Sequence, residues 1–87
     1  ALAPNQPAFM DTWAMLLSSA NQHERALEMQ KKVVQLQPQV LEFKLNLAKI
    51  QIKAGNKDAA RALLDELSAA GDRFSAQAEV DRLKKTL

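Results

Sequence analysis

Residues Trp13–Pro38 read WAMLLSSANQHERALEMQKKVVQLQP, and residues Leu47–Asp72 read LAKIQIKAGNKDAARALLDELSAAGD. The two stretches lie 34 residues apart, and they pair like with like along their length. Trp13 falls on Leu47, Ala14 on Ala48, Ala26 on Ala60, Val33 on Leu67, Glu24 on Asp58 and Asn21 on Gly55, while Pro4 precedes Pro38 by the same interval. Asn and Gly are the residues that most easily enter the left-handed conformation closing a helix. Glu24 and Asp58 suit the first turn of a helix, where the macrodipole favours a carboxylate. Paired alanines on consecutive helices let the two axes approach closely. The period therefore describes a repeated helical hairpin.

Working outward, Pro4, Pro7, Pro38, Asn21, Gly55 and Gly71 divide the chain into helical stretches expected at 7–20, 23–37, 41–54, 57–70 and 75–86. Between these breakers Ala, Leu, Gln, Glu and Lys dominate, all good helix formers. The first stretch carries two apolar strips, Phe9/Trp13/Leu16 and Met10/Ala14/Leu17. The third also has two, Phe43/Leu47/Ile50 and Leu41/Leu45/Ala48/Ile52. A helix with two apolar strips is covered on two sides, as in a stack. Ser75 is placed to cap the last stretch.

With two helices per 34-residue unit, the chain resembles the tetratricopeptide repeat, whose pattern is W-x2-L-G-x2-Y…A-x3-F…P. The first unit reads Met10-x2-Trp13-Ala14-x2-Leu17, Ala26-x3-Gln30, Pro38; the second reads Lys44-x2-Leu47-Ala48-x2-Gln51, Ala60-x3-Leu64, with Asp72 at the proline position. Gln30, Lys44 and Gln51 depart from the pattern. The resemblance implies an all-α, TPR-like α-hairpin solenoid of two antiparallel helix pairs plus a C-terminal capping helix. Its expected divisions are 1–6 as the end of a preceding repeat, 7–40 and 41–74 as two units, and 75–87 as the cap, which solenoids need to cover an apolar end. Asp81 and Arg82 break the register for a third unit. Asp11–Leu17 also resembles the D-T-L-G-W-V-L stretch of bacterial repeat proteins in envelope and exopolysaccharide systems, and the layout is similar to the end of PEP-CTERM/exosortase repeat lipoproteins. That resemblance implies a periplasmic or outer-membrane-attached setting; the residues themselves do not identify a compartment.

The 87-residue length fits one small domain, and 47% hydrophobic with 25% charged residues excludes a disordered chain. The absence of Cys excludes disulfides, thiolate metal sites and a Cys nucleophile. No apolar run reaches the ~18 residues of a membrane span, and no signal-peptide pattern is visible. A net charge of +2 does not by itself call for nucleic acid. Lys31/Lys32 and Lys84/Lys85 lack interleaved aromatic residues for base stacking. His23, with Glu24 and Glu28, lacks zincin ligand spacing, and Asp65 beside Glu66 points about 100° away on a helix. These patterns give an expectation of no catalysis, no metal and no cofactor.

The family geometry implies that the first helix of each unit lines a concave groove. Its candidate contacts are Asp11 and Met15 in unit one and Leu45, Asn46, Lys49 and Lys53 in unit two, with Ala8, Thr12, Ser19, Glu42 and Ile52 beside them. Asn46, Lys49 and Lys53 share one helical face and suit a carboxylate or an extended peptide. The leading expectation is a protein-interaction scaffold; the alternative is a structural cap of a longer array. Phe9, Trp13 and Leu16 are expected to lie exposed and to support self-association. A closed five-helix bundle would instead require the period to be accidental.

Overall fold

A computed structural model describes residues 6–87, with only the backbone considered at Asp72. Its elements are α1 (Pro7–Ser19), α2 (His23–Leu36), α3 (Leu41–Lys53), α4 (Lys57–Ala69), a short 3-10 turn (Gly71–Arg73) and α5 (Gln77–Lys85). The expected starts of α1 through α4 coincide with the observed ones, and their ends fall within one residue. Pro7 occupies the first turn of α1, where its missing N–H costs nothing and its fixed φ is already helical. Glu24 and Asp58 lie in the first turns of α2 and α4, as the dipole argument requires. Of the expected end of a preceding repeat, 1–6, all but Gln6 lies outside the described residues, Pro4 included.

The repeat is visible in individual hydrogen bonds. After α1 the Asn21 N–H donates to the Ser18 carbonyl at 3.1 Å and the Gln22 N–H donates to Leu17 at 2.9 Å. One block on, Gly55 donates to Ile52 at 3.1 Å and Asn56 to Gln51 at 2.8 Å. Both sets form the same Schellman closure, with the left-handed residue just past the helix end. Ala14, Ala26, Ala48 and Ala60 are all fully buried, which seats α1 on α2 and α3 on α4 at close range.

Packing runs in chain order, α1 on α2, α2 on α3, α3 on α4 and α4 on α5, with α1 also beside α3. The resulting slab measures 37 × 27 × 17 Å. It has two apolar centres. One joins Ala14, Leu17 and Ala26 of the first hairpin to Ile50 of α3; the other gathers Leu45, Ala48, Ala60, Leu64, Leu67, Phe74 and Val80. Full burial of a Leu, Ile or Val side chain stabilises by roughly 1.5–3 kcal/mol, so Ile50, Leu64, Leu67, Val33 and Val80 anchor the stack.

The last helix differs from the reading of the sequence. It begins at Gln77 with Ala76 at the cap position, and Ser75 makes no side-chain capping bond. Gly71 turns the chain with φ +59°, and the chain extends at Phe74 before α5 starts. Phe74 is only 3% exposed. The gain from burying its ring outweighs a cap bond worth about 1 kcal/mol. Gln77 then ties the helix start to α4, donating from Nε2 to the Leu67 carbonyl at 2.6 Å and to Gly71 at 3.1 Å.

Candidate interaction surface

The side-by-side packing of α1 and α3 brings Asp11 and Asn46 together. Asn46 Nδ2 donates to Asp11 Oδ1 at 3.0 Å and to Oδ2 at 3.2 Å. The Asp11 carboxylate also accepts from Gln30 Nε2 at 2.7 Å, and the same nitrogen donates to the Phe43 carbonyl at 2.9 Å. Gln30 is fully buried on α2, and its Oε1 has no partner among the described residues. Asp11 and Asn46 thus spend their polar atoms on each other and on the α2–α3 junction, forming a floor rather than a pair of free arms.

Lys49, one turn beyond Asn46, reaches across to α5, where its Nζ lies 2.8 Å from Glu79 Oε1. Glu79 is also held by Arg82 at 3.1 Å. The hydrogen bond from Lys49, helped by the charges of Lys49 and Arg82, outweighs partial desolvation and holds the Glu79 carboxyl below its usual range. Lys53 is exposed and forms no ion pair among the described residues. Met15 is half-buried against the first apolar centre. Leu45 corrects the sequence expectation: it is 4% exposed, packed in the second apolar centre with Leu64 and Val80, and cannot present itself to a groove. Of the residues expected from the sequence, Asp11, Met15, Asn46, Lys49 and Lys53 remain as candidates for such a surface.

Sequence reasoning missed Gln30 and Glu79, which position this surface. A signal for Gln30 was present. Asp11 and Gln30 shift by one block onto Leu45 and Leu64, so two polar residues in the first unit stand where two apolar ones stand in the second. Lys44, which departs from the repeat pattern, pairs with Glu66 at 3.1 Å. Two open clefts lie away from the candidate residues. One, of about 570 Å³, runs between Gln39, Leu41, Lys44, Glu66 and Arg73; the other, of about 260 Å³, runs between Met10, Leu17, Arg25 and Met29. His23 opens α2, and no cluster of three potential metal ligands forms among the described residues.

The described helices share a second trait with the sequence pattern. The strip Asn46/Lys49/Lys53 on α3 shifts by one block onto Val80/Leu83/Leu87, which pack on the second apolar centre. The same register is thus polar on α3 but apolar and at least half-buried at the far end of the chain.

Searches among curated proteins and among solved structures gave no significant match. The tetratricopeptide repeat model, by contrast, matches residues 17–86, from the last turn of α1 through α5. That span covers more than three quarters of the chain and includes both stacked junctions, α2 on α3 and α4 on α5. With its hairpins and their hydrogen-bonded closures recurring every 34 residues, the chain belongs to the tetratricopeptide repeat family.

Proposed function

We propose that the chain is a binding module that offers the inner face of α1 and α3 to an extended, acidic segment of another polypeptide. Tetratricopeptide repeats generally mediate protein–protein interaction and are typically non-enzymatic scaffolds. One observation carries the proposal for this surface: Lys49 and Lys53 stand one turn apart on the same face of α3, and the first already seats a carboxylate, that of Glu79. Lys53 extends the same chemistry into solvent. Asp11 and Asn46, locked together, form a polar floor beside it, and Met15 supplies an adaptable apolar wall. In this reading the partner is a protein or peptide and not a nucleic acid, and the module needs no cofactor and performs no catalysis.

The finer setting rests on the Asp11–Leu17 resemblance. In this reading the module serves bacterial envelope or exopolysaccharide assembly or export, and the similar layout of PEP-CTERM/exosortase repeat lipoproteins would put it in the periplasm or at the outer membrane. No helix among the described residues is long and apolar enough to cross a membrane.

Titration with fluorescent acidic peptides tests the surface. Lys53→Glu is expected to weaken binding by about tenfold, the equivalent of about 1.4 kcal/mol, and the effect should shrink at high salt. Affinity that is the same in wild type, Lys53→Glu and Lys49→Glu would remove the surface from consideration.

A further inference from the structure

We infer that Glu79 is a resident competitor for the acidic partner: its carboxylate fills the Lys49 seat in the free chain and is exchanged for a partner carboxylate on binding, an inference that rests on the binding face proposed above. Glu79 stands one block beyond Leu45 and two beyond Asp11. On α3 this register is a packing position, with Leu45 buried among apolar side chains. On α5 it carries an acid turned back toward α3, with Oε1 2.8 Å from Lys49 Nζ. The two side chains are 30% and 31% exposed, so the pair is open to solvent and not sealed beneath the last helix.

The exchange strands no charge. Glu79 Oε2 lies 3.1 Å from Arg82, whose own side chain is largely exposed. Glu79 also sits in the first turn of α5, where the helix dipole favours a carboxylate. On leaving Lys49 it keeps both of these supports, while the lysine takes up the incoming carboxylate. The last helix need not detach, because the fully buried Val80, the ring of Phe74 and the bond from Gln77 to the Leu67 carbonyl hold it independently. Lys53, without an ion pair among the described residues, is the cation a partner meets free; Lys49 is the one it must win. Exposed ion pairs are weak, so the competition lowers the partner's affinity by no more than roughly fivefold.

The test is titration of the whole chain with a fluorescent oligoglutamate peptide at low ionic strength. Glu79→Gln removes the competing charge at constant side-chain length and is expected to tighten binding about two- to fivefold. In a Lys49→Met background the same substitution should leave the affinity unchanged, since no seat remains to be freed. Lys49→Met alone breaks the same ion pair but should weaken binding, which separates freeing of the lysine from loosening of α5. Asp81→Asn takes an equal charge from an exposed α5 position that has no ion pair among the described residues, and should tighten binding by less than Glu79→Gln does. Equal tightening by Asp81→Asn, or tightening by Glu79→Gln that persists without Lys49, would reveal general repulsion and overturn the competition. So would wild-type binding that weakens in Lys53→Glu but is indifferent to Glu79→Gln, a result that leaves the binding face itself standing. Failure of both wild type and Glu79→Gln to bind the peptide would remove the face and the competition together.

Discussion

Asn21 and Gly55 have φ of 64° and 85°, and each closes the first helix of its hairpin. A side chain built on Gly55 would meet nothing within 4 Å, so replacing it tests backbone strain alone. The left-handed region costs an L-residue about 1–2 kcal/mol. Gly55→Ala is therefore expected to lower the urea unfolding free energy by about 1 kcal/mol. Asn21→Gly should change it by no more than about 0.5 kcal/mol, because Asn already tolerates that conformation. If Gly55→Ala were as stable as wild type, the shared closure would not be what ends these helices. Both positions were legible in the sequence, because few residue types satisfy the geometry and the period aligned two of them. Leu45 was not legible in the same way. Its spacing suits both the inner face and the strip beside it, and only the observed packing of α5 settles that it is buried.

At the scale of elements, α1 to α4 could be read from their breakers, whereas the start of α5 could not. Ser75 has the chemistry of a cap, but capping bonds are local and small, and the chain gains more by seating Phe74 between the hairpin and the last helix. Phe74→Ala is expected to cost about 3–5 kcal/mol and to leave α5 unprotected in amide exchange before the hairpins open. Equal protection of α5 in that variant would show that the ring does not anchor it. Two ion pairs add smaller terms, Lys49 with Glu79 at 2.8 Å and Lys84 with Asp65 at 2.9 Å. Because Lys49 depresses the Glu79 pKa, the pair's contribution is complete above the ordinary glutamate range and is lost as pH falls through the lower folded-state pKa. The Glu79 titration followed by NMR should have a midpoint below about 4.3, moving up toward that value in Lys49→Met, with α5 protection decreasing across the same acidic window. An unchanged midpoint in Lys49→Met would remove this pair from the attachment of α5.

At the scale of the molecule, the two junctions of the stack are built from the same three positions with opposite chemistry. Asp11, Gln30 and Asn46 meet where the first hairpin joins α3; one block on, Leu45, Leu64 and Val80 meet where the second hairpin joins α5. In a repeat protein the total stability is close to a sum of unit and junction terms, so the two junctions can be altered separately. The polar junction is incompletely satisfied, since Gln30 Oε1 is buried without a partner among the described residues. Removing one member should therefore harm, and replacing all three should help. Gln30→Leu alone strips a donor from the Asp11 carboxylate and from the Phe43 carbonyl, and is expected to cost about 1–3 kcal/mol. The triple replacement Asp11→Leu, Gln30→Leu and Asn46→Val copies the apolar junction and is expected to stabilise the fold by about 1–4 kcal/mol over wild type in urea unfolding. The gain should vanish when any one of the three positions is returned to its polar residue, because a lone polar group is then left between apolar partners. Additive effects of the three substitutions would show that these residues do not act as one junction, and the correspondence between the two ends of the stack would be a coincidence of spacing.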